Sequence, residues 1–334
     1  MRKTLVLMLG MVMLLSTALT AFAGDPMRVA MVTDVGGVND RSFNQNVWEG
    51  LQMAERDLGM TVSYLQSNQE ADYVPNLESL LDAECGLIFG VGFMLQEAVM
   101  EAAKDNPETN YVCVDAEYDS PPANLVGIKF REEQPGFLAG YVAGKMSQTG
   151  KIGFLGGMEV PAVVAFEWGY VAGAKYANDE IEVLQQYANS FNDVAKGKAI
   201  AKQMYQDGAD IVFCCGGTMG TGGIEAAKED NKWCIGVDVD QSYLAPDHML
   251  TSAMKFLDIA TLELCRLQME GTFTGGMYIG DLSNNMVGLP DTTKNLVPQV
   301  ILDEVNALTA QILSGDIEIP INKDQAVEMG YIAG

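Results

Sequence analysis

The sequence predicts an α/β protein built as two doubly wound parallel-sheet lobes joined by a hinge. Three observations carry this reading. Short continuous apolar runs alternate with amphipathic stretches, the pattern of strands buried on both faces beneath covering helices. The pattern restarts near residue 150. A length of 334 residues is enough for two domains.

The elements follow in order. Strands are expected near 27–33, 61–66, 86–91, 110–114 and 125–129, with helices near 43–58, 73–83 and 94–105. After the restart, strands are expected near 151–155, 182–188, 210–215, 233–237 and 250–255, with helices near 164–178, 193–207 and 220–230. Longer helices are expected near 256–270 and 294–314. No linker rich in Pro, Gly or Ser separates the halves, and the joins near Lys129 and Lys255 are short, as hinge passages should be. The expected division puts 24–129 with 256–290 in an N-terminal lobe and 130–255 with 291–334 in a C-terminal lobe.

Residues 1–23 read as a secretory signal peptide. Arg2 and Lys3 precede an apolar stretch from Leu5 to Leu15, and Ala21-Phe22-Ala23 is a small-x-small cleavage site. The competing reading is an uncleaved membrane anchor, against which the cleavage site argues. No cysteine lies near that site to carry a lipid. The expectation is an exported chain, cleaved after Ala23 and free in the periplasm.

Formal charge is -25, and losing Arg2 and Lys3 takes it to -27. Such a chain repels nucleic acid and anionic lipid, so neither is an expected partner. The six cysteines, Cys85, Cys113, Cys214, Cys215, Cys234 and Cys265, show no zinc spacing. Four of them sit in strand-like apolar runs, which favours mostly free, buried thiols, with room for one disulfide. No metal or cofactor is expected.

Ligands of open parallel sheets bind beyond the carboxyl ends of the strands. The segment DVGGVNDRSFNQNVWEG, Asp34 to Gly50, follows the first strand with a Gly-Gly turn and opens a helix. A glycine turn before a helix suits an anion, but Asp34 and Asp40 would repel phosphate and no Lys stands by. Asp34 therefore suits the hydroxyls of a neutral polyol such as ribose. Ser42 with Gln45 resembles a capping box, and Asp40 or Ser42 reads as a helix cap. Ser-Phe-Asn occurs at 42–44 and again at 190–192, once in each half. Phe43 and Phe191 can supply two faces for a planar base, or each can plug its own core. Asn44 and Asp115 can read a purine edge. Asp238 and Lys255 can bracket ribose hydroxyls, although Lys255 reads equally as an exposed hinge lysine or an ion-pair partner. Asp240 reads as a cap.

These residues carry a resemblance. The opening segment is similar to that of the bacterial basic-membrane-protein family, substrate-binding components of ABC importers that bind purine nucleosides. Further matches follow in order: GIKFREEQPGFLAGYVAG, GKIGFLGGMEVPAVVAFEWGYVAGAK, SFND, GGTMGTGGIEAAKE, IGVDVDQ and TSAMK. The resemblance implies a type I periplasmic-binding fold with two lobes around a cleft. It implies that Phe43 and Phe191 stack a base and that Asn44 and Asp115 read its edge. It implies that Asp34, Asp238 and Lys255 hold the ribose, with a backbone contact from Gly216-Gly217 and Phe166 lining the wall. Many relatives carry a lipid-bearing cysteine at the cleavage site, and this chain lacks it.

The expected function is capture of a purine nucleoside such as adenosine, guanosine or inosine by a monomer that delivers it to an ABC transporter permease. The alternatives are a binding protein for a sugar or other small solute, and a nucleoside-cleaving hydrolase. Against hydrolysis stand a single histidine, His248, and no triad spacing. A receptor that reports ligand to a membrane sensor is a third possibility on the same fold.

Overall fold

The computed structural model describes residues 26–333, so the expected signal peptide lies outside the described residues. Among them, two six-stranded sheets form. The first half gives β1 (Arg28–Thr33), α1 (Phe43–Leu58), β2 (Thr61–Leu65), α2 (Tyr73–Asp82), β3 (Leu87–Val91), α3 (Gln96–Asp105), β4 (Asn110–Val114) and β5 (Leu125–Phe130). The second gives α4 (Glu133–Met146), β6 (Lys151–Gly156), α5 (Pro161–Ala177), β7 (Glu182–Tyr187), α6 (Val194–Gln206), β8 (Ile211–Cys215), α7 (Gly217–Glu229), β9 (Trp233–Asp238) and β10 (Met249–Lys255). The remainder gives α8 (Leu257–Met269), β11 (Gly276–Gly280), β12 (Val287–Gly288), α9 (Gln299–Ser314) and α10 (Lys323–Glu328).

The sheet orders are β11-β5-β4-β3-β1-β2 and β12-β10-β9-β8-β6-β7, so the lobes repeat one topology. Every neighbouring pair is parallel except β10–β12. Central strands such as β3 and β8 are buried along their whole length. The edge strands β2 and β7 are partly exposed, as a sheet edge must be. Helix α1 lays Val47, Leu51 and Ala54 on its sheet and stops at Gly59, whose left-handed backbone donates to the Glu55 carbonyl.

The chain passes between sheets three times, after β5, after β10 and after β11. These passages are laced together: Arg131 N–H donates to Gly280 O (2.9 Å), Phe256 N–H to Met286 O (3.0 Å) and Leu282 N–H to Gln134 Oε1 (2.8 Å). Strand β12 pairs with β10 of the second sheet, so the third passage lies before residue 287 and not at the expected 290. A two-residue strand carries no alternating pattern to announce it.

Helix α4 was not expected. It is buried on nearly every side and packs on α5 through glycines. A Cβ on Gly140 would stand 2.1 Å from Tyr170 O, and one on Gly173 1.9 Å from Phe137 O. Only glycine permits this approach. All six cysteines are free and buried. Among the described residues, no helix is long and apolar enough to cross a membrane.

Candidate functional site

The carboxyl ends of the two sheets face each other, and the cleft between them is shut. Cross-lobe hydrogen bonds hold it. Lys255 Nζ donates to Asp115 Oδ1 and Oδ2 (3.0 and 2.8 Å). Gln241 Nε2 donates to Arg41 O (2.9 Å), and Asn192 Nδ2 to Val35 O (3.1 Å). Ser42 Oγ donates to Asp238 Oδ2. The enclosed cavity has about 600 Å³ not filled by atoms, part of it open to solvent. All ten residues singled out in the sequence line it: Asp34, Phe43, Asn44, Asp115, Phe166, Phe191, Gly216, Gly217, Asp238 and Lys255.

The acidic glycine turn is built around Asp34. Its Oδ1 accepts from Gly36 N–H and from Asn44 Nδ2, both at 2.8 Å. A Cβ on Gly36 would lie 2.9 Å from that oxygen, so glycine lets the backbone reach the carboxylate. Asp40 caps α1, accepting from the N–H groups of Ser42 (3.0 Å), Asn44 (2.8 Å) and Gln45 (3.1 Å). The expected Ser42–Gln45 capping box does not form. The Asp40 carboxylate outcompetes a hydroxyl for those donors, Ser42 turns across the cleft, and Gln45 Nε2 goes to Glu49 (2.9 Å).

Asn44 is 1% exposed. Its Nδ2 donates to Asp34 Oδ1 and to Asp40 Oδ2 (3.0 Å), which fixes the orientation of the amide. That oxygen has no hydrogen-bond partner among the described residues. Asn44 thus offers an acceptor alone, not the donor and acceptor expected.

Asp115 and Asp238 stand at equivalent strand ends of the two lobes. Both have left-handed backbones, φ 57° and 64°. Such strain in a non-glycine residue costs on the order of 1–3 kcal/mol and concentrates at functional sites. Lys255, at the end of β10, is 2% exposed, which rules out the exposed hinge lysine, and it forms an ion pair with Asp115. Its Nζ also lies 3.7 Å from Asp238 and 3.7 Å from Glu132. Burial alone would lower the Lys255 pKa, but Asp115, Asp238 and Glu132 more than reverse that. Burial pushes Asp34 up to about 6 against the pull of the Asn44 and Gly36 bonds. It pushes Asp238 to about 6 against the pull of Lys255, and Asp40 to about 6 despite its capping bonds.

The walls are aromatic. Lys255 Nζ lies 4.8 Å from the Phe43 ring centre, 5.5 Å from Phe130 and 5.6 Å from Phe166. Phe166 is almost fully buried and stands edge-on to Phe213, so it is part of the wall. Phe43 and Phe191 are half-buried and open to the cavity. The Phe191 ring rests on Gly157, where a Cβ would stand 2.4 Å away. The two Ser-Phe-Asn copies are not related by the lobe repeat. One follows β1 and the other β7, whose counterpart is β2. Gly216 and Gly217 join β8 to α7, with Gly217 at φ 44°. Asp240 is a cap, accepting from Ser242 N–H (3.0 Å).

Sequence reading missed Phe93, Met94, Cys215 and Val237 in the lining. Phe93 and Met94 follow the carboxyl end of β3, so the strand-end rule applied to that loop would have found them. It also missed Glu132, which sits behind Lys255. His248 lies outside the cavity, with Nδ1 3.0 Å from Lys232 O. Among the described residues, no group of three or more His, Cys, Asp or Glu side chains is placed to hold a metal. The site therefore presents acceptors, one buried cation and aromatic walls. That suits a planar, donor-bearing ring attached to hydroxyls.

Known proteins resemble the chain over most of its length. Residues 27–323 match the Bmp family model, described as ABC transporter substrate-binding protein PnrA-like. The chain is 40% identical over 318 residues to the ABC transporter nucleoside-binding protein BmpA of Lactococcus lactis subsp. cremoris, covering 88% of this chain and 89% of that protein. It is 38% identical over 306 residues to basic membrane protein A of Borreliella afzelii, covering 89% and 92%. A solved ABC transporter system solute-binding protein from Aeropyrum pernix K1 superposes with a TM-score of 0.85 at 26% identity, over 91% of this chain and 97% of that one.

Proposed function

Because the chain belongs to the Bmp family of ABC transporter substrate-binding proteins, we propose that it captures a purine nucleoside between its lobes and delivers it to a membrane importer, breaking no bond. One observation carries the choice of ligand: the buried, unpartnered Asn44 Oδ1 in an aromatic-walled cavity. A buried acceptor left unpaired costs about 1–3 kcal/mol, and a base N–H removes that cost. Asp34 Oδ2, without a partner among the described residues, is a second acceptor and takes a ribose hydroxyl. Phe43 and Phe191 stack the base, while Asp238 and Lys255 take the ribose hydroxyls. Asp115 serves twice, since each oxygen keeps a lone pair beyond the one given to Lys255. The relative from Lactococcus lactis, named for nucleoside binding, supports the same ligand class. The proposal includes export as a monomer, with the signal peptide cleaved after Ala23 and no lipid anchor.

Asn44→Leu tests the base-reading element. Calorimetric titration should show purine-nucleoside affinity reduced at least about tenfold, the worth of an unpaired donor in a closed site, with any weak ribose affinity unchanged. Equal losses for both, or none, would overturn this assignment. Incubation with guanosine should release no free base. Steady release would replace capture by hydrolysis.

A further inference from the structure

Glu132 is the one carboxylate beside the site that the proposed capture leaves without a task. It is fully buried, at the first hinge passage between β5 and α4. Neither of its oxygens has a hydrogen-bond partner among the described residues. Its nearest charge is Lys255 Nζ, 3.7 Å from Oε1, and Lys255 stands at the second hinge passage. In the closed cleft Lys255 is held by Asp115 of the other lobe at 2.8 and 3.0 Å, so Glu132 gets only the longer contact. The groups facing Glu132 are Lys255 from β10, Asp115 beyond β4, Lys129 from β5 and Glu133 from α4. The cavity also holds Asp34, Asp40 and Asp238 against a single buried cation. So many buried anions around one ammonium cannot all stay ionised.

We propose that Glu132 is a proton-bearing positioning residue, which takes a proton from solvent as the lobes close and thereby leaves Lys255 to Asp115, Asp238 and the ligand. On opening, Asp115 departs with its lobe, Lys255 becomes free to pair with Glu132, and the proton returns to solvent. This rests on the reading of the site as a cleft that closes on its ligand. Burial, with Asp115 and Glu133, pushes the Glu132 carboxyl up to about 8 in the closed form, against the pull of Lys255 and Lys129. The sign follows. The raised group favours closure fully below the ordinary carboxyl range, and that contribution is lost as pH rises through about 8. Affinity should fall with rising pH by up to about tenfold per unit across that window and then level off.

The test is calorimetry with inosine at pH 7.5 in buffers of different ionisation enthalpy, which counts protons taken up. At that pH Asp34, Asp40 and Asp238, near 6, contribute little. The wild type should take up about three-quarters of a proton per inosine, the protonated fraction at pH 7.5 of a group near 8. Glu132→Gln, which mimics the protonated acid, should bind within about threefold of wild type or tighter, a change small on the scale of one lost hydrogen bond. It should take up almost none and lose the pH slope between 7 and 9. An unchanged proton count in the variant overturns the proposal, as does a wild type that takes up none. Glu132→Gln that weakens binding equally at every pH would leave Glu132 a merely structural group and also overturn it. If inosine gives no heat with either protein, the ligand reading has failed instead. Carboxyl-carbon NMR titration of glutamate-labelled, ligand-free protein then decides Glu132 by itself: paired with Lys255 in the open form, it should leave no glutamate resonance titrating near 8, and a resonance that does so and vanishes in Glu132→Gln would overturn the proposal.

Discussion

Lys255→Met is expected to reduce purine-nucleoside affinity by at least about a hundredfold at pH 8, because removing one partner of a buried ion pair costs about 3–5 kcal/mol. Methionine keeps the stem among Phe43, Phe130 and Phe166 and removes only the charge and its donors. Asp115 loses both of its bonds to Nζ, and Asp238 and Glu132 lose the cation at 3.7 Å. The loss should shrink on acidification. Glu132 at about 8 and Asp238 at about 6 are raised carboxyls, so both become neutral as pH falls through those values and the penalty of their unpaired charge goes with it. Titrations at pH 8 and 5.5, with a thermal melt at each to confirm folding, check this. Wild-type affinity, or a deficit that is the same at both pH values, would contradict the charge balance described for the cleft.

The second large effect concerns the fold that aims the site. Gly140→Ala should destabilise the protein by about 3 kcal/mol, the upper end of overpacking costs. The new methyl would meet the carbonyl oxygen of Tyr170 at 2.1 Å, and helix backbone cannot rotate aside as a side chain can. Relief requires α4 and α5 to part. That displaces Phe166, whose own carbonyl already lies where a Cβ on Gly136 would be 2.7 Å away. Gly288→Ala is the control, since a Cβ there meets nothing within 4 Å. Urea unfolding should show a large drop in midpoint for the first variant and none for the second. Equal midpoints would mean the helix contact is softer than its geometry implies.

Much of this was legible beforehand, and the failures have physical causes. Continuous apolar strands such as Leu87–Val91 and Ile211–Cys215 announce a doubly wound sheet, and the strand-end rule then leads to Asp34, Asp115, Asp238 and Lys255. Helix α4 was hidden because Glu133–Met146 contains Pro135, three glycines and apolar residues on every face, so it has no helical stripe. Glu132 was hidden by its neighbours. In the run Arg131-Glu132-Glu133 it looks like part of a solvated charge cluster, and only the hinge geometry buries it. The orientation of the Asn44 amide depends on two carboxylates, one ten residues and one four residues away, that sequence alone does not aim at it. The two Ser-Phe-Asn segments are alike in sequence and not in position. The fold brings both rings to one cavity from loops that do not correspond.

The central claim is that this cleft holds a purine base and its ribose together. Its most direct test is calorimetric titration of the mature protein, unfolded, dialysed free of ligand and refolded, with guanosine, inosine, adenosine, uridine and ribose. Tight binding of purine nucleosides, with ribose at least about a hundredfold weaker, is the predicted result, since base stacking alone contributes about 1–3 kcal/mol and base hydrogen bonds add to it. Ribose or another sugar binding as tightly as any nucleoside, or no heat from the nucleosides at all, would contradict it.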